Sequence, residues 1–211
     1  MTTVIAIDGP AGSGKSTIAA ALADRLGIPH VDTGAFYRAL TLAVLRAGAD
    51  PAAAAAVSGV LDRVRIARWD DRTLLDGHDV EQAIRTDEVT AHVSAVAAHP
   101  GVRRRLVALQ RAAVAAGGAV VEGRDAASVI VPDATLKVWL TAPTTVRAAR
   151  RAAQQGAVDA AFVERVATQL VARDRADRPN TFLEDDAVVI DTGDLSVDAV
   201  VDAIVSLLPE R

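Results

Sequence analysis

The sequence predicts an α/β fold in which a parallel sheet is covered by helices on both faces. Three observations carry this reading. Five short runs suited to strands, Val4–Asp8, Ile28–Asp32, Ala119–Glu122, Thr135–Leu140 and Ala187–Asp191, alternate with longer stretches of helical periodicity. Each run is mostly apolar along its length, as expected of strands buried on both faces. The 211 residues, 51% hydrophobic and 24% charged, are enough for one domain of this kind with an inserted subdomain.

The elements can be justified in order. Helix 16–26 follows the first strand and closes at Gly27, a C-cap residue. The second strand leads into Asp32-Thr33-Gly34-Ala35-Phe36-Tyr37-Arg38, where helical periodicity begins at about Phe36 and runs to Arg46, stopped by Gly48. A second, Pro-started helix is expected over 51–62. The character then changes. Val64–Ala67 and Thr73–Asp76 alternate around the turn-prone Asp70-Asp71, and Gly77-His78-Asp79-Val80 follows, so this stretch reads as a small inserted β element. Helices are expected over 81–98 and 101–116, separated by His99-Pro100-Gly101. The third strand ends in Gly123-Arg124-Asp125. Helices 144–154 and 158–175 bracket Gly156, and helix 197–208 ends the chain. There is no internal repeat and no flexible linker.

The first strand runs directly into a Gly-rich loop. Gly9-Pro10-Ala11-Gly12-Ser13-Gly14-Lys15-Ser16-Thr17 fills the template G-x-x-x-x-G-K-[ST] between a strand and a helix. Glycines let backbone amides turn inward on phosphate oxygens, and the new helix adds unpaired N–H groups and the positive end of its dipole. Lys15 is expected on the β- and γ-phosphates, with the Ser16 hydroxyl on Mg²⁺. The competing reading is a Gly-rich turn before an ordinary helix. Of the 23 basic residues, however, only Lys15 and Lys137 are lysines, so an ammonium at this point is a specific choice over a guanidinium. The loop reads as a nucleoside-triphosphate phosphate site, and the fold as the P-loop NTPase type with a five-stranded sheet. Ligands in such folds gather at the carboxyl ends of the strands, where Asp8, Asp32-Thr33, Gly123-Arg124-Asp125 and Thr141 lie.

A net charge of −4 and 3% aromatic residues argue against nucleic acid as the main partner. The absence of cysteine excludes disulfides and thiolate metal sites. No apolar run approaches the ~18 residues of a membrane span, and no secretory leader pattern opens the chain. A soluble, cytoplasmic, monomeric protein is expected.

With these residues in view the chain resembles the bacterial cytidylate kinase family of nucleoside-monophosphate kinases. The likeness runs nearly end to end. It includes Asp32–Arg38, Gly77-His78-Asp79-Val80, Ile84-Arg85-Thr86-Asp87-Glu88-Val89, Ser94–Arg103, Gly123-Arg124-Asp125, Val131-Pro132-Asp133-Ala134 and Arg173–Arg178. The resemblance implies transfer of the γ-phosphoryl group of ATP, with Mg²⁺, to CMP or dCMP. It also implies an inserted β/helical subdomain binding the monophosphate at about 63–100, and a short lid at about 147–160.

By resemblance Arg38 and Arg124 clamp the acceptor phosphate, a task suited to a guanidinium fork. The alternative for both is surface or salt-bridging arginine. Ser94, Arg103 and Asp125 are implied in reading the base, since a carboxylate accepts from the exocyclic amine of cytosine and is left unpaired by the carbonyl of uracil. Arg173 and Asp177, four apart on a helix, either form an ion pair or meet the sugar hydroxyls, with Thr33 and Tyr37 lining the same pocket. Arg147, Arg150 and Arg151 resemble lid arginines that meet ATP phosphates, Arg151 as a catalytic group; only one or two of the three need act. Thr192–Ser196 is placed to touch adenine. Glu122 either holds Mg²⁺ through water or pairs with an arginine, and Asp8 is a weaker metal candidate. His30, His78, His92 and His99 show no ligand spacing and read as surface or capping residues.

Two departures from the family pattern stand out. Ala126-Ala127 follow Gly-Arg-Asp where an apolar residue and Gly are usual, which is expected to shift the Asp125 loop. Asn180, after Pro179, stands near where another arginine usually helps to hold the acceptor phosphate. This predicts weaker acceptor binding unless Arg178 swings in. Two alternatives to the implied activity are another small-acceptor kinase, acting on UMP or a non-nucleotide such as shikimate, and a nucleotide-binding regulatory switch. The Gly77–Val80 insert and Asp125 argue against the first. The many arginines aimed at a second phosphate argue against the second.

Overall fold

The structure, a computed structural model, describes residues 3–69, 72–114, 117–157 and 159–209. The elements follow as β1 (Val4–Asp8), α1 (Lys15–Leu26), β2 (His30–Asp32), α2 (Thr33–Arg46), α3 (Ala54–Leu61), β3 (Ile66–Trp69), β4 (Arg72–Leu75), β5 (His78–Asp79), α4 (Asp87–Ala97), α5 (Pro100–Ala113), β6 (Ala119–Glu122), β7 (Leu136–Thr141), α6 (Thr144–Gln154), α7 (Ala160–Asp177), β8 (Val188–Asp191) and α8 (Val197–Ser206). The chain divides into two compact units, Met1–His30 with Gly117–Arg211, and Val31–Ala116.

The first unit is built on the expected five-stranded sheet, in the order β2-β6-β1-β7-β8, with β2 straddling the division between units. β1 runs parallel to both β6 and β7, and β7 to β8, with Ile5 opposite Val120 and Leu136. Its central strands are mostly apolar because both faces are covered, with Asp8 and Glu122 as the last residues of β1 and β6. Ile5, Ile7, Val120, Val138 and Leu140 pack with Ile18 and Leu22 of α1 and Val200, Val201 and Ile204 of α8. A smaller cluster joins Ala148 and Ala152 of α6 to Val166 and Leu170 of α7 and to Ala11. β1 therefore ends, at Asp8, among buried neighbours, and the loop that follows is held from the start.

The second unit has its own core. Phe36, Leu40 and Val44 of α2 meet Val57 and Val60 of α3, Ile66 and Leu75 of the small sheet, Val93 and Val96 of α4, and Val102 and Leu106 of α5. The small sheet is antiparallel, in the order β3-β4-β5, as expected of the inserted β element. The 63–100 stretch lies within this longer unit because α2 and α5 contribute to the same core.

Local chemistry sets several boundaries differently from the periodicity. α2 starts at Thr33, a turn before Phe36, because the Asp32 carboxylate accepts from the Ala35 N–H at 3.0 Å and caps it. The helix expected over 81–98 is split: a 3₁₀ turn, Ala83–Arg85, is followed by extended Thr86, whose hydroxyl caps α4. Ala126–Ile130 form a π-helical turn that no periodicity announced. The expected Asp70-Asp71 turn, the last two residues of the 101–116 helix and residue 158, the expected start of the 158–175 helix, lie outside the described residues.

Candidate active site

The phosphate loop is shaped by two glycines. Gly9 has φ +148°, and a Cβ there would stand 2.1 Å from the Leu140 carbonyl oxygen, so only glycine lets β1 turn away past β7. Gly14, at φ +90°, is the N-cap of α1. The first N–H groups of α1 have no intrahelical acceptor and form, with the helix dipole, a site for an anion. Lys15 Nζ donates to the Pro10 carbonyl at 2.7 Å, folding the side chain back over the loop. Burial, reinforced by the Arg124 and Arg173 guanidiniums and opposed by Glu122 and Asp8, pulls the Lys15 ammonium down from 10.5 to about 7. An approaching phosphate supplies the opposite charge and reverses that shift.

Beside the loop, Ser16 Oγ donates to Glu122 Oε2 at 2.9 Å, and His30 Nε2 lies 3.0 Å from Glu122 Oε1. Glu122 is buried at 3% exposure, and His30, far from a surface or capping residue, holds its second oxygen. A hydroxyl and a carboxylate side by side fit a hard divalent cation. Among the described residues no group of three or more His, Cys, Asp or Glu could hold a metal ion, so a cation at Ser16 and Glu122 would depend on nucleotide phosphates as well.

Arg124 reaches the loop itself. Its Nη1 donates to the Gly9 carbonyl at 2.7 Å and its Nε to Asp177 Oδ2 at 3.0 Å. The same carboxylate oxygen is 3.7 Å from Arg173 Nε, so Asp177 pairs with both arginines. The terminal Nη2 of Arg124 has no hydrogen-bond partner among the described residues. Arg178–Asn180 form a 3₁₀ turn, and Arg178 is exposed, its side chain without a hydrogen bond or ion pair among the described residues.

Asp8 is not arranged as a metal ligand. Its two oxygens accept from Ala126 N–H at 2.9 Å and Ala127 N–H at 2.8 Å. Burial pushes its carboxyl up from 3.8 to about 6 against those two bonds. Ala127 meets no strain: among the described non-glycine residues only Asp76 has positive φ. The missing glycine is thus accommodated by a turn that alanine can adopt.

The three arginines of α6 separate cleanly. Arg147, 6% exposed, donates from Nε to the Ala142 carbonyl, from Nη1 to the Ala11 carbonyl and Asp174 Oδ2, and from Nη2 to Thr144 Oγ1. Asp174 also accepts from the Ala11 N–H at 2.9 Å. Arg147 and Asp174 thereby brace α6 and α7 against the phosphate loop, rather than leaving Arg147 open for ATP. Arg150 holds the Thr192 hydroxyl and carbonyl, and Thr192 Oγ1 lies 3.1 Å from the Ser13 carbonyl. Arg151 is the one of the three whose side chain makes no hydrogen bond or ion pair with another described residue.

In the second unit, Arg38 Nη1 donates to the Ile84 carbonyl at 3.1 Å and to Thr90 Oγ1 at 2.9 Å. Arg103 stacks over Tyr37, 5.6 Å from the ring centroid. Gln110 Nε2 donates to the Thr33 carbonyl at 2.9 Å, fixing the first turn of α2. Ser94 is half-buried on α4.

Asp8, His30, Gln110 and Asp174 are thus site-shaping residues whose roles sequence reading did not assign. Gln110 left a signal, as a polar residue in register with Val102 and Leu106 on the buried stripe of α5. The other three act on partners distant in sequence and left none.

The cytidylate kinase family model matches residues 5–210. Curated cytidylate kinases include that of Mycobacterium leprae (strain Br4923), 45% identical over 99% of this chain and 96% of that protein. The cytidylate kinase of Corynebacterium glutamicum is 46% identical over 97% of this chain and 94% of that one. A crystal structure of an uncharacterized protein from Eubacterium ventriosum shares the fold at TM-score 0.54 and 15% identity, covering 98% of this chain and 97% of that one. Matched across nearly its whole length, this chain belongs to the cytidylate kinase family.

Proposed function

We propose that this chain transfers the γ-phosphoryl group of ATP to CMP or dCMP, giving ADP and CDP or dCDP. The observation that carries the reading is the shared loop: Lys15 folds onto Pro10 while Arg124 bonds to Gly9, so cations of two kinds sit on one phosphate cradle. A loop that only held a nucleotide would need no guanidinium with a spare donor edge.

The acceptor is already an anionic phosphate oxygen, so no general base is required. That oxygen forms the new bond to Pγ while the bond from Pγ to the β-bridging oxygen breaks. Positioning and neutralisation carry the rate. Main-chain amides and Lys15 hold the donor phosphates. Arg124, with Nη2 to offer, and Arg38 are proposed for the acceptor phosphate. Arg151, whose guanidinium is uncommitted, is the lid arginine proposed to meet the transferring group. Ser16 and Glu122 would hold Mg²⁺, which when bound neutralises charge on the β- and γ-phosphates. Asp125, with Ser94 and Arg103, is proposed to read the cytosine, and Thr33, Tyr37, Arg173 and Asp177 the sugar. We place the activity in the cytoplasm, in a monomer that needs no nucleic acid; no helix of the described residues is long and apolar enough to cross a membrane.

Release of ADP, followed with MgATP and CMP, dCMP, UMP, AMP or shikimate, tests this. Turnover of CMP and dCMP, with UMP slower by about 10-fold or more, is expected from one mispaired buried group. ATP binding without acceptor-dependent turnover would overturn the proposal.

A further inference from the structure

Asp8 is an acid buried at 1% exposure that neither the phosphate contacts nor the cation site uses. It is the last residue of β1, directly before Gly9. Its Oδ1 and Oδ2 hold the N–H groups of Ala126 and Ala127, the two residues after Asp125, at 2.9 and 2.8 Å. Those amides open the π-helical turn, whose own bonds run from Val129 N–H to the Asp125 carbonyl and from Val131 N–H to the Ala126 carbonyl. The backbone that carries Asp125 is therefore pinned on its C-terminal side by a carboxylate from the strand that launches the phosphate loop.

We propose that Asp8 is the positioning residue for base selectivity: it acts through Asp125 by fixing the Arg124–Ala127 backbone, and touches no substrate. This deepens the functional reading above and rests on the assignment of Asp125 to the base. The physical reason is geometric. Discrimination between an amine and a carbonyl depends on a carboxylate held to within a few tenths of an ångström, because hydrogen bonds weaken steeply with distance and angle. A loop of alanines, without the usual glycine, has no intrinsic preference for its turn; two charge-assisted bonds from one fixed carboxylate supply it. β1 is the central strand of the sheet, paired on both sides and buried at its end, and so a rigid anchor.

Asp8→Asn keeps the shape but can accept only through one atom, turning its NH₂ toward the other amide. Ala127→Pro removes one of the two N–H groups and leaves Asp8 intact. Measured at pH 8, where Asp8 is ionised, both variants are expected to lower the ratio of kcat/KM for CMP to that for UMP by about 10-fold, the equivalent of one lost buried hydrogen bond. The affinity for ATP should change by less than about 3-fold. Amide proton shifts and exchange at Ala126 and Ala127 report the anchor directly, and in Asp8→Asn these amides should lose protection. If that protection is lost while the selectivity ratio stays at the wild-type value, the proposal fails. Asp125→Asn separates the two ideas. If it leaves the ratio unchanged, the base assignment itself falls and takes the proposal with it. If it lowers the ratio while Asp8→Asn and Ala127→Pro do not, only the role of Asp8 is lost. Should Asp8→Asn not fold, Ala127→Pro alone decides.

Discussion

The phosphate loop and helix α6 are both rich in groups suited to phosphate, yet they behave differently. In the loop, function follows from neighbours in sequence: Gly9 and Gly14 set the backbone, Lys15 bonds to Pro10 five residues earlier, and α1 begins at once. In α6, three arginines within five positions take three different parts, decided by residues far away. Arg147 is fixed by Ala11 and Asp174, Arg150 by Thr192, and Arg151 by neither. A guanidinium with all three nitrogens bonded, as at Arg147, is a strut; one with a nitrogen left over, as Nη2 of Arg124, or with none bonded, as at Arg151, keeps donors and charge for a ligand.

The contrast can be broken most sharply at the loop. Lys15→Met is expected to lower kcat by about 10³-fold, the scale of removing a charge that stabilises the transferring phosphoryl group, while the unfolding midpoint holds or rises. A loss of tenfold or less in steady-state rate would mean that the ammonium is dispensable. On the α6 side, Arg147→Ala should chiefly destabilise, by about 3 kcal/mol in denaturant unfolding, because it strands the part-buried Asp174 carboxylate. Arg151→Ala should do the reverse, lowering kcat by about 10- to 100-fold with the unfolding midpoint unmoved. If the two swapped signatures, the division of α6 into struts and a free arginine would be wrong.

Protonation sharpens the same contrast. With Lys15 lowered to about 7, the nucleotide-free protein binds fewer protons than the unfolded chain between about pH 7 and 10.5. Stability from this group therefore rises with pH across that window. Bound phosphates raise the value again, so ATP binding at pH 8 should draw a proton from solution. Calorimetric enthalpies in buffers of different ionisation enthalpy should then differ, and the difference should vanish in Lys15→Met; buffer-independent enthalpies in the wild type would refute it. The smallest effect concerns the departure at Asn180. Arg178, exposed and uncommitted, should matter modestly: Arg178→Ala is expected to raise KM for CMP by about 3-fold, the worth of a solvent-screened charge, and no change would leave the weaker clamp uncompensated.

The same division explains what was legible in the sequence. The sheet, the inserted β element and the phosphate loop were readable because apolar runs, turn residues and a glycine-lysine motif are local signals. β6 was delimited to the residue, Ala119–Glu122, by its apolar run and the Gly123 that follows. The helix expected over 81–98 failed at Thr86 because a hydroxyl cap outweighs periodicity there. The contacts of His30, read as a surface or capping residue, and of Asp8, read as a weaker metal candidate, were not legible because their partners, Glu122 and Ala126-Ala127, lie about a hundred residues away. The part of Arg147 could not be found in an amphipathic helix that would look the same if every arginine faced water.

Main-chain amides and one ammonium are proposed to hold the donor while guanidinium groups, Arg124 foremost, hold the receiver. Initial rates with CMP and ATP varied separately, on wild type and Arg124→Ala, test it most directly. In Arg124→Ala, kcat/KM for CMP is expected to fall by about 10- to 100-fold, the worth of one or two charged hydrogen bonds, while the dissociation constant of ATP moves by less than about 3-fold. An equal loss of ATP affinity, or an unchanged kcat/KM for CMP, would contradict it.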